Sequence, residues 1–399
     1  MTSKAFRWTI LGTAAAALLW HSPALAAGKE PIRIGLITSL SGPYQGFGGA
    51  IKEGAQFAAD DINAKGGIDG RKVELEFGDT QGNPEIGRRE AGKLVLKGYN
   101  LLTGGVSSAV SLAISGQMER IDGLYIATLS KSNLITGKQC NARTFRTFQN
   151  DAMDIRILKP WLEKQTDKKW AIIAADYAWG HDSAEGFTEA AKSAGKEVLP
   201  AVYAPLGAKD FAPYITQLMQ SGATALWGAV SGGDYVNFWK QATQFGLPAK
   251  MKVAAAAAVT TSVINALGDI AEGYYGIVNY SSTEPSAGNQ AFVKAFRAKF
   301  GKDPGYDTVN GYLGVAAIAQ AVGHAHSVKP GDVARAMGGM TLKTPMFGDV
   351  VFRAADHQLE LPNYFGRVGR DHGELKPIID QTFSAAETIP PPSPDCHIH

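Results

Sequence analysis

An alternation of apolar strand and amphipathic helix occurs twice in this chain, and it restricts the fold more than any other feature. An Ile-rich apolar run at 32–36 leads into a Gly-rich loop at 41–49, which reads as a buried strand and its turn. A helix follows, with Ile51, Ala55, Ala58 and Ile62 at helical spacing and Lys65-Gly66-Gly67 at its end. Residues 73–77 form the next strand. Asn83-Pro84 opens a second helix running through Leu94, and a third strand at 101–102 closes on Gly104, Gly105, Val106, Ser107 and Ser108. From Trp170 the order returns. A strand at 171–174 precedes a helix capped by Asp182 and carrying Ala184, Phe187 and Ala191; a strand at 198–203 and a helix lined by Phe211, Ile215 and Leu218 lead to a strand at 224–230. That strand ends in Ser231, Gly232 and Gly233, echoing Val106, Ser107 and Ser108. Strand, helix, strand, helix, strand predicts a parallel sheet, and two copies predict two α/β lobes.

The stretch after Tyr274 has a strand-like run at 274–280, helices around Phe292, Phe296, Phe300 and over 313–322, and a late strand at 350–352. It is too long for a tail and too poor in strands for a third domain. It therefore completes the two lobes by crossing back between them, and several crossings make a hinge with a cleft beside it.

The start of the chain says where the protein works. Lys4 and Arg7 precede an apolar run at 8–20, which ends in Ser22, Pro23 and Ala24-Leu25-Ala26. Residues 1–26 read as a signal peptide, and the run is shorter than the roughly 20 residues a membrane span needs. No cysteine near the cleavage site points to a lipid anchor. The expected location is the periplasm, with no transmembrane segment in the mature protein. In that oxidising compartment the two cysteines, Cys140 and Cys396, favour a disulfide that ties the Pro-rich C-terminal tail to the first half. A metal site at Cys396, His397 and His399 lacks further ligands at fixed spacing. Lys plus Arg number 39 against 37 acidic residues, so no single-sign surface points to nucleic acid.

Ligands of open parallel sheets bind beyond the carboxyl ends of the strands. The loops there, at 39–49, 107–111, 128–133, 176–182 and 231–235, are rich in hydroxyls, glycines and aromatics: Tyr44, Phe47, Ser107, Ser130, Ser132, Tyr177, Trp179, Ser231 and Tyr235. Hydroxyls and helix-start N–H groups suit a carboxylate, and rings suit a planar or apolar body. Capping and turning are the ordinary work of any one of these serines, and only their clustering at equivalent points of both lobes favours a site. Catalysis finds no support. Gly46, Gly48 and Ile51 make an incomplete dinucleotide fingerprint, and there is no Walker loop, nucleophile elbow or two-histidine zinc helix.

Over 35–70 the chain carries Ser41-Gly42-Pro43, Gly54-Ala55, Asp61-Ile62-Asn63 and Lys65-Gly66-Gly67-Ile68-Asp69-Gly70; further on come Gly195, Lys209-Asp210-Phe211 and Ala271-Glu272-Gly273. In these it resembles the periplasmic branched-chain amino-acid-binding proteins, over most of 31–370. The resemblance implies a type I periplasmic binding fold, with two Rossmann-like parallel-sheet lobes joined by a three-stranded hinge. Residues 31–148 plus 281–355 would form one lobe, 149–280 plus 356–385 the other, and 386–399 a tail. It also implies a small-molecule ligand, an inner-membrane ABC permease as partner, and no cofactor; a monomer is expected. By the family pattern Ser107, Ser130 and Ser132 would hold the ligand carboxylate, while Phe47, Trp179 and Tyr44 would enclose its body.

The departures bear on the ligand. Amino-acid binders of this family place an acid after the fourth strand of the second lobe to meet the α-ammonium. Here that stretch is alanine, with Ala256 nearest the position, and the assisting aromatic corresponds to Ser231. Either Asp234 or Asp176 substitutes, or the ligand carries no ammonium. Gln81 and Val106 stand where relatives have a first-lobe disulfide. A branched-chain amino acid and an aromatic, keto or short-chain carboxylate both stay open as ligands. A sensor subunit for a membrane receptor, or an exported α/β enzyme, are the readings from other classes.

Overall fold

The computed structural model describes residues 1, 2 and 30–398. Apart from its first two residues, the expected signal peptide lies outside the described residues. The first unit runs β1 (Ile32–Thr38), α1 (Gln45–Ala64), β2 (Val73–Asp79), α2 (Pro84–Leu96), β3 (Leu101–Gly104), α3 (Ser108–Ser115), β4 (Leu124–Ala127) and β5 (Thr144–Arg146). Its strands pair in parallel in the order β2-β1-β3-β4-β5. The inner strands β3 and β4 are buried along their whole length, as near-continuous apolar runs in a parallel sheet must be. Asn83 caps α2 as expected, accepting from the Glu85 and Ile86 amides.

The second unit runs α4 (Asp151–Glu163), β6 (Lys169–Ala175), α5 (Ala178–Ser193), β7 (Glu197–Val198), β8 (Val202–Ala204), α6 (Ala212–Gln220), β9 (Ala225–Ala229), α7 (Gly232–Gln244), β10 (Lys252–Ala255), α8 (Thr261–Leu267) and β11 (Tyr275–Val278). The single strand expected over 198–203 is two, both paired with β6. Pro200, with no N–H to donate, interrupts it. Asp182 is not a cap, because α5 already begins at Ala178, with Tyr177 at the N-cap. Glycine permits that early start: a Cβ on Gly180 would lie 1.8 Å from the Ala175 carbonyl. Gly48 does the same in the first unit, where a Cβ would lie 1.8 Å from the Ser39 carbonyl. In both units the helix that follows the first strand thus sits directly on the end of that strand.

The chain then returns through α9 (Ala287–Phe300), α10 (Tyr306–Ala325), α11 (Pro330–Met337), β12 (Thr341–Thr344), β13 (Gly348–Phe352) and β14 (Leu359–Glu360). Phe292, Val309, Leu313, Met337 and Phe352 share a core with Ile34 and Ile126 of the first sheet. A final passage leads to β15 (Asn363–Asp371) and β16 (Glu374–Phe383), an antiparallel hairpin added beside β11. The second sheet therefore reads β16-β15-β11-β10-β9-β6-β7, with β8 also on β6. After α12 (Ala385–Thr388) the tail crosses once more. Glu387 accepts from Arg156 of α4 at 2.8 Å, Pro390 accepts from Arg353 at 2.6 Å, and Cys396 is disulfide-bonded to Cys140 with Cα atoms 5.6 Å apart. Among the described residues no helix is long and apolar enough to cross a membrane.

Candidate ligand-binding site

The carboxyl ends of the two sheets meet around a narrow pocket with about 30 Å³ of water-accessible space. Almost every residue on its wall lies just past a strand end. Val106 and Ser108 follow β3, Leu129 and Lys131 follow β4, and Phe148 follows β5; Tyr177 and Trp179 follow β6, Ser231 follows β9, and Ala256, Ala257 and Thr260 follow β10. Phe47 of α1, Asn279 after β11 and Tyr306 at the start of α10 complete the wall. This is where a doubly wound sheet offers its helix starts and loop amides to a ligand. A wider open groove runs between α1, α8, α10 and β16, but most of its charges already pair with one another, Arg297 with Asp303, Lys302 with Glu53 and Lys376 with Glu374. The pocket between the sheets, walled by rings and loop hydroxyls, is the better binding site.

The residues singled out from sequence divide into two groups. Phe47, Trp179 and Ser231 line the cavity. Tyr44 stands just behind the wall, its hydroxyl donating to that of Tyr177 at 2.8 Å. Ser107 precedes α3, buried off the lining, and its neighbour Ser108 takes the place on the wall. The Ser130 hydroxyl lies 2.5 Å from that of Ser111 and also reaches the Val106 carbonyl at 3.2 Å. Ser132 donates to Asp182 of the opposite unit at 2.6 Å. Asp234 accepts from the Gly207 amide at 2.8 Å, and Asp176 meets His181 at 2.9 Å near the surface; neither lines the cavity. Tyr235 packs against Trp239 inside the second core.

Lys131, Phe148, Thr260, Asn279 and Tyr306 escape sequence reasoning. Lys131 sits between two serines that were singled out, whereas Phe148, Asn279 and Tyr306 come from the hinge and the returning segment. Among the described residues of the wall none is acidic, and Lys131 is the one formal charge. Burial pushes the Tyr177 phenol up to about 12 and the Tyr306 phenol well above its ordinary value, so both stay protonated at neutral pH. The Trp179 indole N–H is buried without a protein partner, which leaves a donor at the wall.

The lobes are held together by direct contacts on two sides of the cavity. Besides the tyrosine pair, the Gly233 amide donates to the Pro43 carbonyl at 3.0 Å. On the other side the Asp182 carboxylate accepts from Ser132 and, at 2.8 Å, from the Asn133 amide.

Two Rossmann-like lobes closed over a pocket at the ends of their sheets are the architecture of a solute-binding protein. Residues 31–373 match the family described as periplasmic binding protein, and the chain belongs to that family. It is 26% identical over 405 residues to Leu/Ile/Val-binding protein homolog 4 of Brucella melitensis, covering 96% of each chain. Among solved structures, a periplasmic binding protein from Burkholderia mallei superposes with a TM-score of 0.83 at 24% identity, over 92% of this chain and 97% of that one. A solute-binding protein of an ABC transporter from Rhodopseudomonas palustris, in complex with 3,4-dihydroxybenzoic acid, does so with a TM-score of 0.81 at 26% identity, over 89% and 98%.

Proposed function

We propose that this chain is the exported, periplasmic solute-binding component of an ABC importer, and that its ligand is a small aromatic carboxylate without an α-ammonium. The observation that carries the ligand reading is the wall after β10. Ala256 and Ala257 stand there, at the point where amino-acid binders of this family are expected to place an acid. An α-ammonium in this cavity would be buried without an anionic partner, which costs several kcal/mol. Five rings, those of Phe47, Phe148, Tyr177, Trp179 and Tyr306, enclose the remaining space and favour a flat body. The R. palustris protein with 3,4-dihydroxybenzoic acid supports the same class of ligand. The Leu/Ile/Val-binding relatives support the second reading, a branched-chain amino acid. The partner on this account is an inner-membrane permease that takes over the captured solute.

The test is a thermal-shift screen of the refolded, ligand-stripped mature protein, followed by calorimetry, against benzoate, 3,4-dihydroxybenzoate, leucine, isoleucine, valine and their keto acids. A ligand at about 100 times its Kd adds roughly 2.7 kcal/mol to the folded state. The expected result is stabilisation by an aromatic carboxylate and none by the amino acids. Stabilisation by leucine alone refutes the aromatic assignment.

A further inference from the structure

The three passages of the chain between the units converge on one buried carboxylate. Asp154 lies in the first turn of α4, directly after the first passage, and is fully buried. One of its oxygens accepts from Asn279 at 3.0 Å and from Asn363 at 2.8 Å. Asn279 is the first residue of the second passage, and Asn363 opens β15 directly after the third. Gln149 of the first passage also donates to the Pro362 carbonyl of the third at 2.8 Å. The other oxygen of Asp154 pairs with the ammonium of Lys131.

Lys131 belongs to the opposite unit and to the cavity wall. It is 8% exposed, donates to Asn279 at 2.9 Å, and holds its ammonium 4.7 Å from the centre of the Phe148 ring. Asp154 and Asn279 occupy two of its three N–H groups, leaving one for the cavity that it lines. A buried ion pair is poor evidence of stabilisation, since an apolar pair of equal volume does as well. Its position on a ligand cavity calls for another role.

The surrounding charge favours an incoming anion. Arg146 is fully buried and donates to the Ser132 carbonyl at 2.5 Å and the Ser130 carbonyl at 3.4 Å, on either side of Lys131. It is bonded there to no carboxylate. Burial raises the carboxyl of Asp151, also buried, above its ordinary value, and Asp182 stands at the partly exposed edge. Lys131 and Arg146 thus place two cations beside the single carboxylate that Lys131 meets, that of Asp154.

We propose that Lys131 is the specificity-determining residue that takes the ligand's carboxylate, and that Asp154 is the positioning residue through which this contact reaches all three passages of the hinge. The inference rests on the reading of the ligand as a carboxylate. Ligand occupancy and hinge geometry then share one ammonium, so that closing around an anion and closing around a neutral molecule are not equivalent.

The experiment compares 3,4-dihydroxybenzoate with its amide, by calorimetry and melting, on wild type, Lys131→Met, Asp154→Asn and the double variant. Lys131→Met is expected to lose roughly 10- to 100-fold in affinity for the acid and to keep its affinity for the amide. Asp154→Asn keeps an oxygen for the two asparagines but frees the lysine. Its ligand-free form melts lower than wild type, and the acid raises its melting point by more than it raises that of wild type. The double variant removes both charges, so it stays folded where Lys131→Met alone strands a buried acid, and it too must prefer the amide. Equal losses for acid and amide in the double variant overturn the proposal, as does an Asp154→Asn protein whose ligand-induced shift matches wild type. If wild type binds leucine and no aromatic acid, the aromatic reading fails, and leucine against leucinamide on the same variants decides the role of Lys131.

Discussion

The hydroxyls of Tyr44 and Tyr177 meet at 2.8 Å, one from each unit, and close the cavity on the side of the first Gly-rich loop. The fit there is close: a Cβ on Gly232 would lie 2.8 Å from the Tyr44 ring. The pair forms only when the lobes are together, so its loss acts on release and not on folding. Tyr44→Phe removes one buried hydrogen bond worth about 1 kcal/mol. Ligand release should speed up by about five-fold, read by stopped-flow tryptophan fluorescence, while the ligand-free melting point stays within about 2 °C. An unchanged release rate would leave the Pro43 to Gly233 backbone contact as the seal on this side.

On the other side Asp182 serves both Ser132 and Asn133. Hydrogen bonds to an ionised group are worth about 1.5–3 kcal/mol, and partial exposure of Asp182 places the effect at the lower end. Asp182→Ala should weaken ligand binding by roughly ten-fold. Asp182 is not on the wall, so titrations against acid and amide ligands should weaken equally. A change in selectivity would mean that Asp182 reaches the ligand.

These two contacts show where sequence reasoning succeeds and where it stops. Parallel strands buried on both faces are uninterrupted apolar runs, so β1, β3, β6 and β9 are legible, and with them the loops that hold Phe47, Trp179 and Ser231. Which residue of a loop faces the ligand depends on backbone geometry that composition does not encode. Ser130 and Ser132 turn to Ser111 and Asp182, and Lys131 between them faces the cavity. The β15–β16 hairpin escapes for a related reason. Its turn holds His372 and Gly373 at φ of 48° and 88°, the conformation usually signalled by Asn-Gly, and His-Gly gives no such cue. Asp154, Asn279 and Asn363 meet only because three distant passages are brought together.

The disulfide between Cys140 and Cys396 turns the tail into a further covalent tie between the units. It closes a separation of 256 residues, and long loops lose the most entropy when closed in the unfolded chain. Replacing both cysteines by serine should cost roughly 2–5 kcal/mol, and the oxidised wild type should lose a similar amount in reducing buffer. Calorimetric melting with and without reductant measures this. The double variant should be indifferent to reductant, and sensitivity in that variant would place the effect elsewhere.

Asp307, in the first turn of α10, gives the protein a stability that depends on pH. Burial raises its carboxyl to about 6, against the partial relief of the Thr308 amide at 2.9 Å and the more distant charge of Lys302. In the unfolded chain the same group titrates near 3.8. Between those values the folded state holds a proton that the unfolded state has released, so stability falls as pH rises through this window. The contribution is complete below the lower value and lost once the pH passes the upper one. Asp307→Asn keeps an acceptor for the Thr308 amide and cannot ionise. Its melting point relative to wild type should therefore rise from about pH 4 to about pH 6 and level off above, measured in buffers of constant ionic strength. A difference that stays constant across that range would show that Asp307 is ionised in the folded protein throughout.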